Sequence, residues 1–363
     1  MTKSKKKFLI AAGGTGGHVF PALSLARNFM SKNYSTVIIS DKRGLKFLEN
    51  YKEIKLKIIN TSSIFKKNPI MLFISFLKII FSFFQSLIFI IKYKPNLVFG
   101  MGGYSSFPVC IAAYILRVPF IIYENNLVLG KTNKYLLPFS YKIFVSNNSL
   151  EGVKKKYLTK TIIVGNIIRQ EILNYKNLNN QNDNNQLNIL VLGGSQAAKI
   201  FAEKLPNIFF KCLEEKITLS IYQQCLPEQN EILKKKYISL GIKFNIFNFS
   251  HEIVNIFSKI NLAITRSGSS MLAELLNCNI PLISIPLPSS AENHQYKNAK
   301  YLEEEGTGFL IQEQDIETEL FLLIKSIHKD KYLLNEMKIK QKKYSDQKTF
   351  EKINKEIKEF INE

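Results

Sequence analysis

The segment AAGGTGGHVFPA, residues 11–22, places four glycines and a threonine between an apolar run and a stretch of helical period, with His18 at the junction. Two more junctions repeat the arrangement: LVFGMGGYSSFP at 97–108 and ILVLGGSQAAK at 189–199. A glycine loop between strand and helix lets backbone N–H groups approach an anion closely, and the helix N-terminus adds partial positive charge. Each junction is thus a candidate phosphate site, with an ordinary tight strand-to-helix turn as the alternative. At His18 the helix N-terminus disfavours the charged imidazole, which keeps the ring available to take a proton from a hydroxyl. Capping the helix or packing beside it is the ring's other use.

Several chemistries lack their residues. The dinucleotide pattern G-x-G-x-x-G fails because Val19 stands where its third glycine belongs, which argues against a nicotinamide dehydrogenase. NNLVLGKT at 125–132 imitates the end of a P-loop but carries Asn125 in place of the first glycine. No Asp-x-Asp pair occurs, so a diphosphate would be neutralised by backbone N–H groups, helix ends, Arg or Lys, and no metal or other cofactor is expected. Cys110, Cys212, Cys225 and Cys278 are scattered without a Cys-x-x-Cys pair and read as small buried hydrophobes in a reducing compartment.

The elements that carry these junctions alternate. Candidate strands at 8–12, 36–40, 97–99, 120–123, 142–145 and 162–164 are separated by segments of helical period, which predicts a parallel α/β sheet. The polar stretch NYKNLNNQNDNNQ, 174–186, offers no core. Beyond it the pattern restarts with strands at 188–192, 218–222, 243–247, 261–265 and 281–285. Two doubly wound, Rossmann-like domains are therefore expected, and 363 residues with 46% hydrophobic composition can fill two cores. The Lys-rich stretch from 338 to 363 reads as an amphipathic helix with a solvated charged face.

Lys and Arg number 50 against 29 Asp and Glu, a formal charge of +21. Such an excess suits phosphate-bearing partners, although an Ile-, Lys- and Asn-rich composition produces it equally well. The aromatic and basic interleaving of an RNA-binding sheet is missing, so no nucleic-acid partner is expected. The start, MTKSKKKFLIAAGG, has an apolar run of only five residues leading into glycines, so no signal peptide is read. Residues 70–91, IMLFISFLKIIFSFFQSLIFII, are long enough to cross a bilayer. Their polar members Ser75, Lys78, Ser82, Gln85 and Ser86 recur at steps of three and four and form one stripe. With Lys66 and Lys67 before it and Lys92 and Lys94 after it, the segment reads as a surface-bound or half-buried helix on an anionic leaflet, with a core helix and a span as the alternatives.

Taken in order, GGTGGHVFPALSLA, GMGGYSSFP, YENN followed by GKTNK, VGNIIR, GGSQAAK, RSGSSMLAELL and ENHQYKNA resemble the MurG family, the UDP-N-acetylglucosamine transferases of peptidoglycan synthesis. The resemblance runs over most of the chain. It implies the GT-B glycosyltransferase architecture, two Rossmann-like domains facing across a cleft that holds the active site. It also implies inverting transfer of N-acetylglucosamine from its UDP form to the C4 hydroxyl of the N-acetylmuramyl sugar of lipid I, giving lipid II. A GT-B enzyme acting on another membrane lipid is the alternative. On this basis residues 1–166 are the acceptor and membrane-contact domain, 188–345 the UDP-N-acetylglucosamine domain, 167–187 a linker, and 346–363 a helix returning to the first domain.

The resemblance also implies roles. His18 is the candidate base. Thr15, Gly16, Gly17, Asn126, Arg169, Ser195, Ser250, Ser269, Ser270, Met271, Leu272, Ala273, Glu274 and Gln295 bind the donor, with Glu274 on the ribose, Asn126 and Gln295 on the sugar and Arg169 facing the nucleotide. Gly14, Gly102, Gly103 and Tyr104 hold the acceptor's diphosphate. The enzyme is placed peripherally on the cytoplasmic face of the inner membrane, held to its anionic surface by residues 66–94, where other cell-wall synthesis proteins are potential partners. Three departures stand out: Ile167 where the family has proline after VGN, Tyr123 and Asn125 where His and Gln are common, and Ser250 where an apolar residue is usual. Losing the proline is expected to loosen the segment, and Ser250 to alter the grip on uracil.

Overall fold

The computed structural model describes residues 5–62, 68–175, 186–194, 198–248 and 253–361. Lys66, Lys67, Ser195, Ser250 and most of the polar stretch lie outside the described residues. The chain forms two compact units, one of residues up to Arg169 together with those from Asp346 on, the other Gln170–Ser345.

Unit 1 is built on seven parallel strands: β1 (Lys7–Ala11), β2 (Ser35–Ser40), β3 (Lys55–Ile58), β4 (Leu97–Gly100), β5 (Phe120–Glu124), β6 (Lys142–Val145) and β7 (Thr161–Ile163), in the order 3-2-1-4-5-6-7. Its helices are α1 (Gly16–Ser31), α2 (Lys42–Leu48), α3 (Pro69–Tyr93), α4 (Ser106–Ile115) and α5 (Lys131–Leu136). Strand alternation explains the two layers. In β1, Phe8 and Ile10 join one core while Leu9 and Ala11 join the core on the opposite face. β3 (KLKI) was not anticipated from sequence; it is an edge strand whose lysines are exposed, so it lacks the continuous apolar run of its neighbours.

Unit 2 opens with α6 (Gln170–Leu173) and repeats the winding with β8 (Leu187–Leu192), β9 (Leu219–Gln224), β10 (Lys243–Phe247), β11 (Leu262–Thr265), β12 (Leu282–Ser284) and β13 (Phe309–Leu310), in the order 10-9-8-11-12-13. Its further helices are α7 (Lys199–Glu214), α8 (Asn230–Ser239), α9 (Ile253–Phe257), α10 (Ser269–Asn277), α11 (His294–Glu304), α12 (Ile316–Lys329) and α13 (Tyr332–Gln341). One continuous helix from 338 onward does not form. α13 ends at Gln341, whose amide donates to the carbonyls of Ile280 and Thr307, and the chain then passes to unit 1. There α14 (Thr349–Glu356) buries Ile353 and is followed by buried Ile357, both in the core that holds Phe8 and α1.

α3 inverts the usual amphipathic arrangement. Asn68 caps it through Ile70 and Met71, and the sequence stripe turns Ser75, Ser82 and Ser86 inward while Lys78 stays exposed. The Ser82 hydroxyl lies within hydrogen-bonding distance of the carbonyls of Asn60 and Lys78, and Ser86 donates to the Ser82 carbonyl, so these two serines are paired, whereas the buried Gln85 side-chain oxygen in the same stripe has no partner among the described residues. Ile70, Phe73, Phe76, Phe81 and Phe84 on the other face are each more than half exposed. At its far end the Tyr93 hydroxyl reaches the carbonyls of Ser35 and Phe8, at the amino ends of β2 and β1. A helix of 25 residues is about 37 Å long, whereas a four-residue strand spans about 13 Å. Ser82 sits level with the carboxyl end of β3 through Asn60, so the first half of α3 reaches past the carboxyl edge of the sheet.

Candidate functional site

Because every strand pair in unit 1 is parallel, the loops after β1, β4 and β5 lie on one edge. Strand order reverses between β1 and β4, the place where doubly wound sheets leave a ligand crevice. The first two glycine loops flank that reversal. Thr15 occupies the N-cap position of α1 without a side-chain cap hydrogen bond, so His18 stands inside the first turn and does not cap the helix. Its ring lies against the second loop. A Cβ at Gly102 would stand 2.8 Å from His18 Cε1, and one at Gly103 would stand 2.5 Å from the Gly13 carbonyl oxygen. With φ of 89° and 77°, both positions also demand the left-handed conformation that glycine adopts without strain.

The first loop is tied down by a residue the sequence reading passed over. Asp41, 3% exposed, caps α2: its Oδ1 accepts from the N–H groups of Gly44, Arg43 and Gly14. Burial pushes this carboxyl upward, but the Gly44 N–H, the Arg43 side chain and the Gly14 N–H outweigh it and hold the group below the usual carboxylate range. The Gly14 amide expected to face an acceptor phosphate is therefore committed to Asp41. Arg43 grips Asp41 Oδ2 with Nε at 3.2 Å and Nη2 at 2.6 Å, and its guanidinium carbon lies 5.5 Å from the centre of the Tyr104 ring.

The third loop is organised by a buried carboxylate. Glu124 Oε1 accepts from the backbone N–H of Asn126 at 3.1 Å and its side-chain amide at 2.9 Å. Its Oε2 accepts from the N–H of Gly130 and the amide of Asn133, both at 2.9 Å. All four partners are N–H donors, so both oxygens act as acceptors. The Asn125 amide donates to the Gly17 carbonyl at 3.4 Å and links this loop to the first.

Two of the departures noted in the sequence meet here. The N–H of Ile167, which a proline would lack, donates to the Tyr123 hydroxyl at 2.9 Å, and that hydroxyl lies 3.3 Å from the Gly165 carbonyl. Burial pushes the Tyr123 phenol far above its usual range, so it stays protonated. Local contacts hold this segment: Ile167 is buried, and Asp346 accepts from the backbone N–H and side-chain amide of Asn166. Arg169, at the end of unit 1, places its guanidinium 5.7 Å from the centre of the Phe20 ring.

In unit 2 the strand order reverses between β8 and β11. The loop after β8 begins with Gly193 and Gly194, and that after β11 leads through Gly268 into α10. Ser269, Ser270 and Met271 form the partly exposed first turn of α10, while Leu272 and Ala273 are buried. Glu274 is 5% exposed, so it is not the solvent-facing carboxylate its helical position alone would suggest. Arg266 is likewise buried, donating to the carbonyls of Ile285 and Pro286 and pairing with Glu313. The Asn298 amide holds the Ser267 carbonyl at 3.1 Å and so joins α11 to this loop. Gln295 Oε1 accepts from the Leu287 N–H, which leaves its Nε2 as the side chain's donor.

Of the expected residues, the structure thus gathers Gly14, Thr15, Gly16, Gly17, His18, Gly102, Gly103, Tyr104 and Asn126 at one edge of unit 1, and Ser269 to Glu274 with Gln295 at the corresponding edge of unit 2. Asp41, Arg43 and Glu124 were missed. A buried capping aspartate could have been sought in the SDKRG segment after β2, but its reach back to Gly14 spans 27 residues and leaves no local pattern.

Comparison with known proteins gives this arrangement a family. Residues 8–145 match the glycosyltransferase family 28 N-terminal domain and residues 188–357 its C-terminal domain. A protein of Pelagibacter ubique named UDP-N-acetylglucosamine–N-acetylmuramyl-(pentapeptide) pyrophosphoryl-undecaprenol N-acetylglucosamine transferase is 36% identical over 99% of both chains. A protein of the same name from Zymomonas mobilis is 33% identical, covering 89% of this chain and 84% of its own. Among solved structures, Acinetobacter baumannii MurG has a TM-score of 0.77 at 23% identity, over 98% of this chain and 99% of its own, and so shares the fold.

Proposed function

Because this chain belongs to glycosyltransferase family 28, we infer that it transfers N-acetylglucosamine from UDP-N-acetylglucosamine to the N-acetylmuramyl sugar of a pyrophosphoryl-undecaprenol acceptor. The acceptor is lipid I and the product lipid II. The observation that supports this chemistry is the His18 ring lying against Gly102 and Gly103, so that an imidazole and two glycine loops share one edge of unit 1.

The acceptor's C4 hydroxyl attacks the anomeric carbon from the face opposite UDP. The bond from that carbon to the phosphate oxygen breaks, its electron pair leaves on UDP, and the configuration inverts. The hydroxyl proton passes to the His18 imidazole. Arg169 neutralises the leaving diphosphate. Glu274 accepts from the ribose hydroxyls, the first turn of α10 lines the uridine and phosphate, and Gln295 offers Nε2 to a sugar oxygen. Glu124 fixes the direction in which Asn126 presents its amide.

Transfer of radiolabelled N-acetylglucosamine to a short-chain lipid I analogue, with and without EDTA, tests this. Equal product in both conditions is expected. If UDP-N-acetylglucosamine binds and no labelled lipid forms, the acceptor assignment is wrong.

The exposed apolar face of α3 supports peripheral attachment to the membrane. One helix of the described residues, Pro69–Tyr93, is long and apolar enough to cross a bilayer. Its paired inner serines and the anchoring of Tyr93 favour its lying along unit 1 with the apolar face in the cytoplasmic leaflet. Lys78, Lys92 and Lys94 add attraction to anionic headgroups. An alkaline wash is therefore expected to release enzyme from membranes, and Phe73→Glu with Phe76→Glu to weaken binding to anionic vesicles by about tenfold or more. Failure of any wash to release enzyme would indicate a span.

A further inference from the structure

The side chain of Arg43 makes a contact that the mechanism above does not use. Its Nε and Nη2 edge is spent on Asp41, a buried carboxylate that cannot swing away because the N–H groups of Gly14, Arg43 and Gly44 also hold it. A guanidinium has five N–H donors in a rigid plane, and a carboxylate engaged on one edge leaves the Nη1 and Nη2 edge facing the other way. That group is 54% exposed and stands over the Tyr104 ring. It also borders the first glycine loop, where a Cβ at Gly14 would lie 3.5 Å from Arg43 Nη2. The fully buried Ser105 hydroxyl has no hydrogen-bond partner and takes the space that a Cβ at Gly13 would need. A fixed cation, a face of aromatic ring and two glycine loops thus meet at one spot, while the Gly14 amide is unavailable to an anion there.

We propose that Arg43, oriented by Asp41 and Tyr104, is the binding residue that pairs its outer guanidinium edge with the diphosphate of the lipid-linked acceptor. This rests on the acceptor assignment made above. Backbone N–H groups supply only partial charge, whereas a bidentate guanidinium matches two phosphate oxygens at once. Asp41 is then a positioning residue, since it touches the guanidinium and not the substrate. The side chain that neutralises the acceptor diphosphate is separate from Arg169, so donor and acceptor diphosphates are held by different cations.

The test is steady-state transfer with Arg43→Ala and Arg43→Lys, titrating a short-chain lipid I analogue and UDP-N-acetylglucosamine separately at low and high salt. Losing a charge-assisted pair should raise KM for the acceptor about ten- to a hundredfold while KM for the donor stays within about twofold. Arg43→Lys should fall between, because an ammonium keeps the charge without the fork. The acceptor KM of the unaltered enzyme should rise with ionic strength and that of Arg43→Ala should rise less, a difference that a packing role would not produce. An unchanged acceptor KM in Arg43→Ala, equal increases in both KM values, or identical salt slopes would overturn the proposal. If the unaltered enzyme transfers nothing to the analogue, it is the acceptor assignment that has failed.

Discussion

His18→Ala is expected to lower kcat for N-acetylglucosamine transfer by about 10²- to 10⁴-fold while leaving KM for UDP-N-acetylglucosamine nearly unchanged. The ring stands in the first turn of α1, on the edge where the order of strands reverses, and it packs against Gly102 rather than capping the helix. On the acceptor assignment proposed above, a group in that position meets the acceptor hydroxyl, so its loss is expected to fall on the chemical step. Two wrong results can be told apart. A large rise in donor KM would make His18 a donor-binding group, and wild-type kinetics in both parameters would make it a packing residue.

The second large effect is expected at Glu124→Gln, a change of one atom in a buried side chain. Glutamine offers one acceptor oxygen and one donor amide where four N–H groups now converge, so either the Asn126 pair or the Gly130 and Asn133 pair meets another donor. Leaving buried donors opposed costs roughly 2–4 kcal/mol of stability. The loop responds by moving, and a displacement of Asn126 by about an ångström lowers kcat/KM about 10²-fold. Thermal melting and transfer kinetics on the same preparation check both halves. A variant that melts and turns over like the parent would show that the loop keeps its shape without the carboxylate.

The alternation of apolar runs, glycine junctions and helical periods made both doubly wound units legible, since a strand buried on both faces writes itself as a continuous apolar segment. β3 escaped because its exposed edge carries lysines at alternate positions. The serine stripe of α3 announced an inward polar face, but its projection past the sheet depended on strand lengths and on where Asn60 and Tyr93 take hold. Candidate site residues that belong to motifs could be named from the sequence. Asp41, Arg43 and Glu124 could not, because each acts by gathering backbone N–H groups or side chains that only the folded chain brings near.

The departures at Tyr123 and Ile167 show the same limit from another side. Taken singly, each looks like the loss of a familiar residue. In the folded chain the hydroxyl of one receives the amide hydrogen of the other, a pair that neither position reveals alone.

The return of the chain to unit 1 has a consequence for biogenesis. Ile353 and Ile357 complete a core begun by Phe8, Ile10 and Val19, and Asp346 secures the segment around Asn166. A ribosome delivers those residues only after the chain of unit 2 has been made, so until then one layer of unit 1 lacks Ile353 and Ile357. Throughout that interval the apolar face of α3 is also in the nascent chain, beside a domain still open. If the bilayer attachment proposed above holds, early capture of that face by lipid would shield it from aggregation while translation finishes.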